Sequence, residues 1–93
     1  MTYTVVLLRE DDGRYSVFVP ALSGCYTWGE TLPHALRMAV EAMALHLASL
    51  ADHGDPIPDD VSTFALNLED AVEAVIHRVE VRAPHAAEAT SVA

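Results

Sequence analysis

The feature that most constrains this chain is a single change of apolar period near residue 30. Before it, short runs rich in β-branched and aromatic residues are separated by turn residues. After it, Leu32, Leu36, Val40, Met43, Leu47 and Leu50 recur at helical spacing on one stripe. A chain patterned this way builds a sheet first and then lays a helix on it. At 93 residues it holds one small domain with a modest core.

Residues 3–8, Tyr-Thr-Val-Val-Leu-Leu, read as a first strand that is apolar on both faces. Arg9 closes it, and Asp12-Gly13 in the turn that follows is a strong hairpin signal. Residues 15–19 form the returning strand. Pro20 lacks a ladder donor and stops the pairing, and a short link leads to a third strand at about residues 25–28. Three antiparallel strands in a row make a meander. Thr31 suits a helix N-cap and Pro33 is tolerated in the first turn, so a helix is expected over 32–53, before Gly54. Met38 and Leu45 point away from its core stripe, with Ala42 and Ala48 beside them. Scattered apolar residues on a helix surface are ordinary; the alternative is a seam for self-association or for a partner.

Residues 55–60 are a turn-rich link. The stretch 61–74 is ambiguous, with Asn67 or a neighbour able to cap a short helix through 68–74. Residues 75–82 alternate as a fourth strand, Val79 and Val81 inward, Arg78, Glu80 and Arg82 outward. After Pro84 no pattern remains, which divides the chain into a domain over 1–83 and a tail over 84–93. Strand–helix–strand connections within one sheet are right-handed in nearly all proteins, and this places the last strand beside the first. The expected fold class is α+β: a β-β-β-α-β sheet of order 3-2-1-4 with one long helix packed on it. The other sheet face, apolar in part, would then lie open in a monomer.

The charge narrows the function classes. Fourteen Asp and Glu stand against five Arg and no Lys, a formal charge of −9. That argues against direct nucleic-acid binding through phosphate neutralisation and suits a basic protein partner. The single cysteine, Cys25, excludes an intrachain disulfide and is expected to be buried and inert. No apolar run approaches the roughly 20 residues of a membrane span, and residues 1–4 lack the features of a signal peptide. A cytoplasmic protein is expected.

No catalytic motif stands out. Of the five histidines, at 34, 46, 53, 77 and 85, His46 and His53 share a helix face. They lie two turns apart, about 10 Å by helical rise, too far to share one ion. No metal and no cofactor are expected. A 3-2-1-4 sheet resembles ribonuclease H-like nucleases, which hold metal ions on a carboxylate in mid-strand one and on others nearby. Nothing acidic lies between Tyr3 and Leu8, and Glu41 and Glu80 alone do not replace it, so no enzyme is expected. Asp11-Asp12 and Asp59-Asp60 read as solvated turn pairs, or as charges that steer a basic partner.

The run Gly13-Arg14-Tyr15-Ser16-Val17-Phe18-Val19-Pro20-Ala21-Leu22-Ser23-Gly24-Cys25 resembles the HicB-like antitoxin family. There a Gly-x-Tyr strand leads into a Val-Pro-x-Leu-x-Gly-Cys turn and a Gly-Asp/Glu-Thr helix start, matched here by Gly29-Glu30-Thr31. The likeness continues through the Ala- and Leu-rich helix to Gly54-Asp55-Pro56-Ile57-Pro58. It implies a partial ribonuclease H-like fold without an active site, serving as the antitoxin of a type II toxin–antitoxin pair. The implied partner is a small basic HicA-like toxin that cleaves messenger RNA, held by occlusion. Exposure and charge then nominate Asp11, Asp12, Pro20, Tyr26, Trp28 and Glu30 as toxin-binding residues, with Met38 and Leu45 serving self-association into a homo-oligomer. Many family members add a C-terminal DNA-binding module; about ten residues after strand four are too few for one. A stand-alone oligomeric binding module without a toxin is the alternative.

Overall fold

In a computed structural model describing residues 1–68 and 71–84, the elements follow the expected order. They are β1 (Thr2–Arg9), β2 (Tyr15–Phe18), β3 (Tyr26–Gly29), α1 (Leu32–Asp52) and β4 (Glu73–Glu80). The sheet order is β3-β2-β1-β4, as the α+β reading requires. The tail beyond Pro84 lies outside the described residues.

Every neighbouring pair of strands is antiparallel. β3 and β4 therefore run in opposite directions, and α1 does not join parallel strands. The handedness rule for parallel crossovers does not govern this connection, although it led to the correct order. Register decides instead: all eight residues of β4 pair with β1, from Thr2–Glu80 to Arg9–Glu73.

Thr31 caps α1, its Oγ1 accepting from the His34 N–H at 3.2 Å. The buried stripe is rotated from the expected one. Ala35, Ala39, Met43 and Leu47 are fully buried; Leu32, Leu36 and Leu50 pack at its margins, and Val40 is exposed. The reason is close approach. α1 packs chiefly on β3 and β2, and Gly29 of β3 lets the first turns come so near that only alanine fits. Across from the stripe lie Tyr3, Val5 and Leu7 of β1, Val17 of β2, and Val19, Leu22 and Cys25 of the link.

The chain after α1 crosses to the far side of the sheet and covers the middle of it over β1, while Tyr26, Trp28 and Ile76 stay exposed on that face. On the helix side of β1, before the crossing, the Tyr3 hydroxyl donates to the Pro58 carbonyl. Asp60 meets Thr4, and Asn67 and Ala71 lie beside Leu8. Val6, midway along β1 on that face, is fully buried. The short helix expected over 68–74 does not form: Glu73 and Ala74 already belong to β4. Val72 donates its N–H to the Arg9 carbonyl at 2.9 Å, so β1 captures this segment as ladder. Residues 69–70 lie outside the description.

Candidate protein-binding face

The hairpin turn is set by its backbone. The Gly13 N–H donates to the Glu10 carbonyl at 2.9 Å, and the Glu10 N–H to the Arg14 carbonyl at 2.8 Å. Gly13 sits at φ +91°, a conformation that side chains disfavour. This turn holds Asp11 and Asp12 in solvent. Asp12 is not a free charge. It accepts from the Arg14 N–H at 3.0 Å and from the Arg14 guanidinium at 2.8 Å, and these bonds lower its pKa. Asp11 stands exposed at the tip.

Arg14 in turn places its guanidinium carbon 5.6 Å from the centroid of the Trp28 ring. Trp28 lies opposite Ser16 in the β2–β3 ladder, one diagonal step from Arg14. The His34 ring meets the Trp28 ring nearly edge-on, at 6.5 Å and 72°. His34 Nδ1 accepts from the Glu30 N–H at 3.1 Å. Trp28 is thus 51 % exposed yet held on two sides. Glu10, Arg14, Tyr15, Ser16 and Trp28 line a hollow of about 280 Å³.

Further along β3, Tyr26 is 73 % exposed, with its ring 6.5 Å from that of Phe18. A second hollow of about 320 Å³ runs from these rings past Pro20 and Leu22 to Phe64 and Ala65. Trp28, Tyr26 and Phe18 share the face turned away from α1. Five of the nominated residues, Asp11, Asp12, Tyr26, Trp28 and Glu30, are exposed, and Pro20 lines the second hollow. Together they mark the β3 end of the sheet and its hairpin.

Leu45, 68 % exposed, borders a third hollow of about 320 Å³ together with Tyr26, Cys25, Ala42 and His46. It therefore belongs with the β3 edge, while Met38 is half-buried. Arg14, His34, Phe18 and Phe64 were missed from sequence. The first three could be read from the strand register and the helix cap; Phe64 could not, because its place depends on an irregular segment.

Cys25 is buried, and burial pushes its thiol pKa up. Among the described residues no three of His, Cys, Asp and Glu converge as metal ligands. No described helix is long and apolar enough to cross a membrane.

Comparison with known proteins decides the family. Residues 3–82 match the HicB-like antitoxins of bacterial toxin–antitoxin systems. The chain belongs to the HicB-like antitoxin family. A UPF0150 protein of Thermoplasma acidophilum is 45 % identical over 60 residues, 64 % of this chain and 87 % of that protein. A UPF0150 protein of Synechocystis sp. is 40 % identical over 58 residues, 62 % of this chain and 73 % of that one. The crystal structure of the N-terminal domain of the Burkholderia pseudomallei antitoxin HicB superposes with TM-score 0.63 at 26 % identity. That match covers 88 % of this chain and 99 % of that domain. A chain of a toxin–antitoxin complex from Streptococcus pneumoniae gives TM-score 0.71 at 26 % identity, over 88 % of this chain and 69 % of that one. Membership in an antitoxin family agrees with the absence of a carboxylate in the middle of β1.

Proposed function

We propose that this HicB-like protein is the antitoxin of a type II pair and works in the cytoplasm by covering a small basic, HicA-type ribonuclease. The observation that carries the reading is the β3 face. Tyr26 and Trp28 stand exposed beside the acidic hairpin of a chain with a charge of −9. Aromatic residues are the types over-represented in binding hot spots, and the surrounding charge attracts a basic partner before contact. Glu10, Asp11, Asp12 and Glu30 outnumber Arg14 in this region, so its local field is acidic. An RNA-cleaving protein needs a positive surface for its substrate. An acidic face with aromatic anchors competes for that surface without any chemistry of its own.

The test is a growth assay on the small reading frame beside the gene, expressed alone and then with this protein. Arrest alone, rescue together and co-purification as a complex are expected. A harmless neighbour, or a toxic one that this protein fails to rescue, would overturn the assignment.

A further inference from the structure

The opposite end of the sheet presents a different surface. β4 is eight residues long and pairs, among the described residues, with β1 alone. Met1 and Val81 exchange hydrogen bonds in both directions, at 2.9 and 2.7 Å. By the alternation of an antiparallel ladder, Val79, His77 and Val75 also turn their backbone groups toward β1. Ala74, Ile76, Arg78 and Glu80 therefore turn theirs outward, and such a row is a template for another strand. Ile76 is 51 % exposed on this edge, and Arg78, Glu80 and Arg82 are exposed beside it.

The charges select the occupant. If β4 pairs with a second β4 about a two-fold axis, outward residues must face outward residues. An axis at Arg78 sets that residue against its own copy, and an axis at Glu80 does the same for glutamate. An axis at Ile76 or at His77 sets Arg78 against Ala74 or Ile76, leaving the charges unmatched. An axis at Val81 would set Glu80 against Arg82 but lies past the end of β4, whereas an axis at Val79 sets each Arg78 opposite the Glu80 of the second copy, with the Arg82 stem along Ile76. Unlike charges across a ladder stabilise pairing and like charges oppose it. The contact of Arg78 with Asp60 within the chain is long, 3.8 Å, and leaves its guanidinium available.

We propose that β4 pairs antiparallel with β4 of a second copy about a two-fold axis at Val79, joining two sheets into one of eight strands. This goes beyond the antitoxin reading and does not depend on it. The two β3 edges then lie at the far ends, so each copy keeps its face of Tyr26 and Trp28 free. Leu45, beside Cys25 and Tyr26, belongs to those ends and not to the seam.

Sedimentation velocity on the full chain at low salt tests this, with a dimer of about twice 10.0 kDa expected at about 100 μM. Arg78→Glu and Glu80→Arg each set like charges opposite one another and should weaken the dimer by about tenfold or more. The double variant, Arg78→Glu with Glu80→Arg, restores unlike pairs and should recover it. Circular dichroism checks the fold; should Arg78→Glu unfold the chain through Asp60, Glu80→Arg is read alone. A monomer for the unaltered chain overturns the proposal, as does a dimer indifferent to Glu80→Arg.

Discussion

Gly29 and Ala35 are in near-contact: a Cβ added to Gly29 would lie 2.5 Å from both the backbone nitrogen and the Cα of Ala35. This approach seats the first turns of α1 on β3. It also explains why small residues occupy the buried stripe there while larger ones wait until Met43 and Leu47. The same seating fixes His34 beside Trp28, so a packing requirement at Gly29 reaches the face that carries Trp28.

Gly29→Ala should therefore destabilise the protein by about 1–3 kcal/mol, the usual cost of overpacking. In a domain of this size that lowers Tm by roughly 4–8 °C for each kcal/mol. Thermal and denaturant unfolding measure it, and an unchanged midpoint would show that the helix can shift without cost.

Asp60 ties the far-side segment to β1. Continuing the β1–β2 register two residues past Val6–Phe18 would put Pro20 opposite Thr4, but β2 has ended. Asp60 takes the vacant place, accepting the Thr4 N–H at 2.9 Å and the Thr4 hydroxyl at 2.8 Å. Burial alone would raise its pKa, but the Thr4 bonds, the Val61 N–H and the Arg78 charge hold it below the ordinary 3.8. A depressed native pKa stabilises the fold above the ordinary value, and that contribution is lost as pH falls through the native one. Asp60→Ala should cost about 1–3 kcal/mol at neutral pH. Asp60→Asn should flatten the fall of stability below about pH 4, read by urea unfolding across the acid range. Parallel curves for Asn and Asp would disprove the assignment.

The two hairpin carboxylates should behave differently toward a cognate toxin. Asp11→Lys alters an unpaired tip charge and should slow association, with a shallower salt dependence and little change in dissociation. Asp12→Lys also releases Arg14 from its hold near Trp28, so it should speed dissociation as well. Surface plasmon resonance at two salt concentrations separates these effects. Equal association rates for all three proteins at low salt would remove the hairpin from the encounter.

Trp28→Ala and Tyr26→Ala remove exposed side chains and should leave the fold intact. If they anchor the toxin, each weakens binding by about 2 kcal/mol or more, roughly 30-fold in Kd, mostly through faster dissociation. Isothermal titration with the toxin measures the loss. Less than a threefold change in both would move the interface elsewhere.

Periodicity and turn chemistry, both local, were enough to read four strands, one long helix, the hairpin at Asp12-Gly13 and the N-cap at Thr31. The residues that carry the family likeness, from Gly13 through Cys25 and Gly29-Glu30-Thr31, are turn and cap residues that declare themselves in sequence. Charge and the empty middle of β1 likewise pointed to docking in place of catalysis. Tertiary structure alone decided the rest. The rotation of α1 onto Ala35 and Ala39 depends on how closely two elements approach, and helical spacing carries no information on that distance. The capture of Glu73 and Ala74 by β1 depends on a partner some 64 residues away in sequence, and such pairing overrides a weak local preference for helix. Asp12 pairs with Arg14 two residues on within the turn, and the placing of Arg14 against Trp28 follows from ladder register. Sequence shows which residues are charged or aromatic, and only the packed sheet shows which of them already have partners.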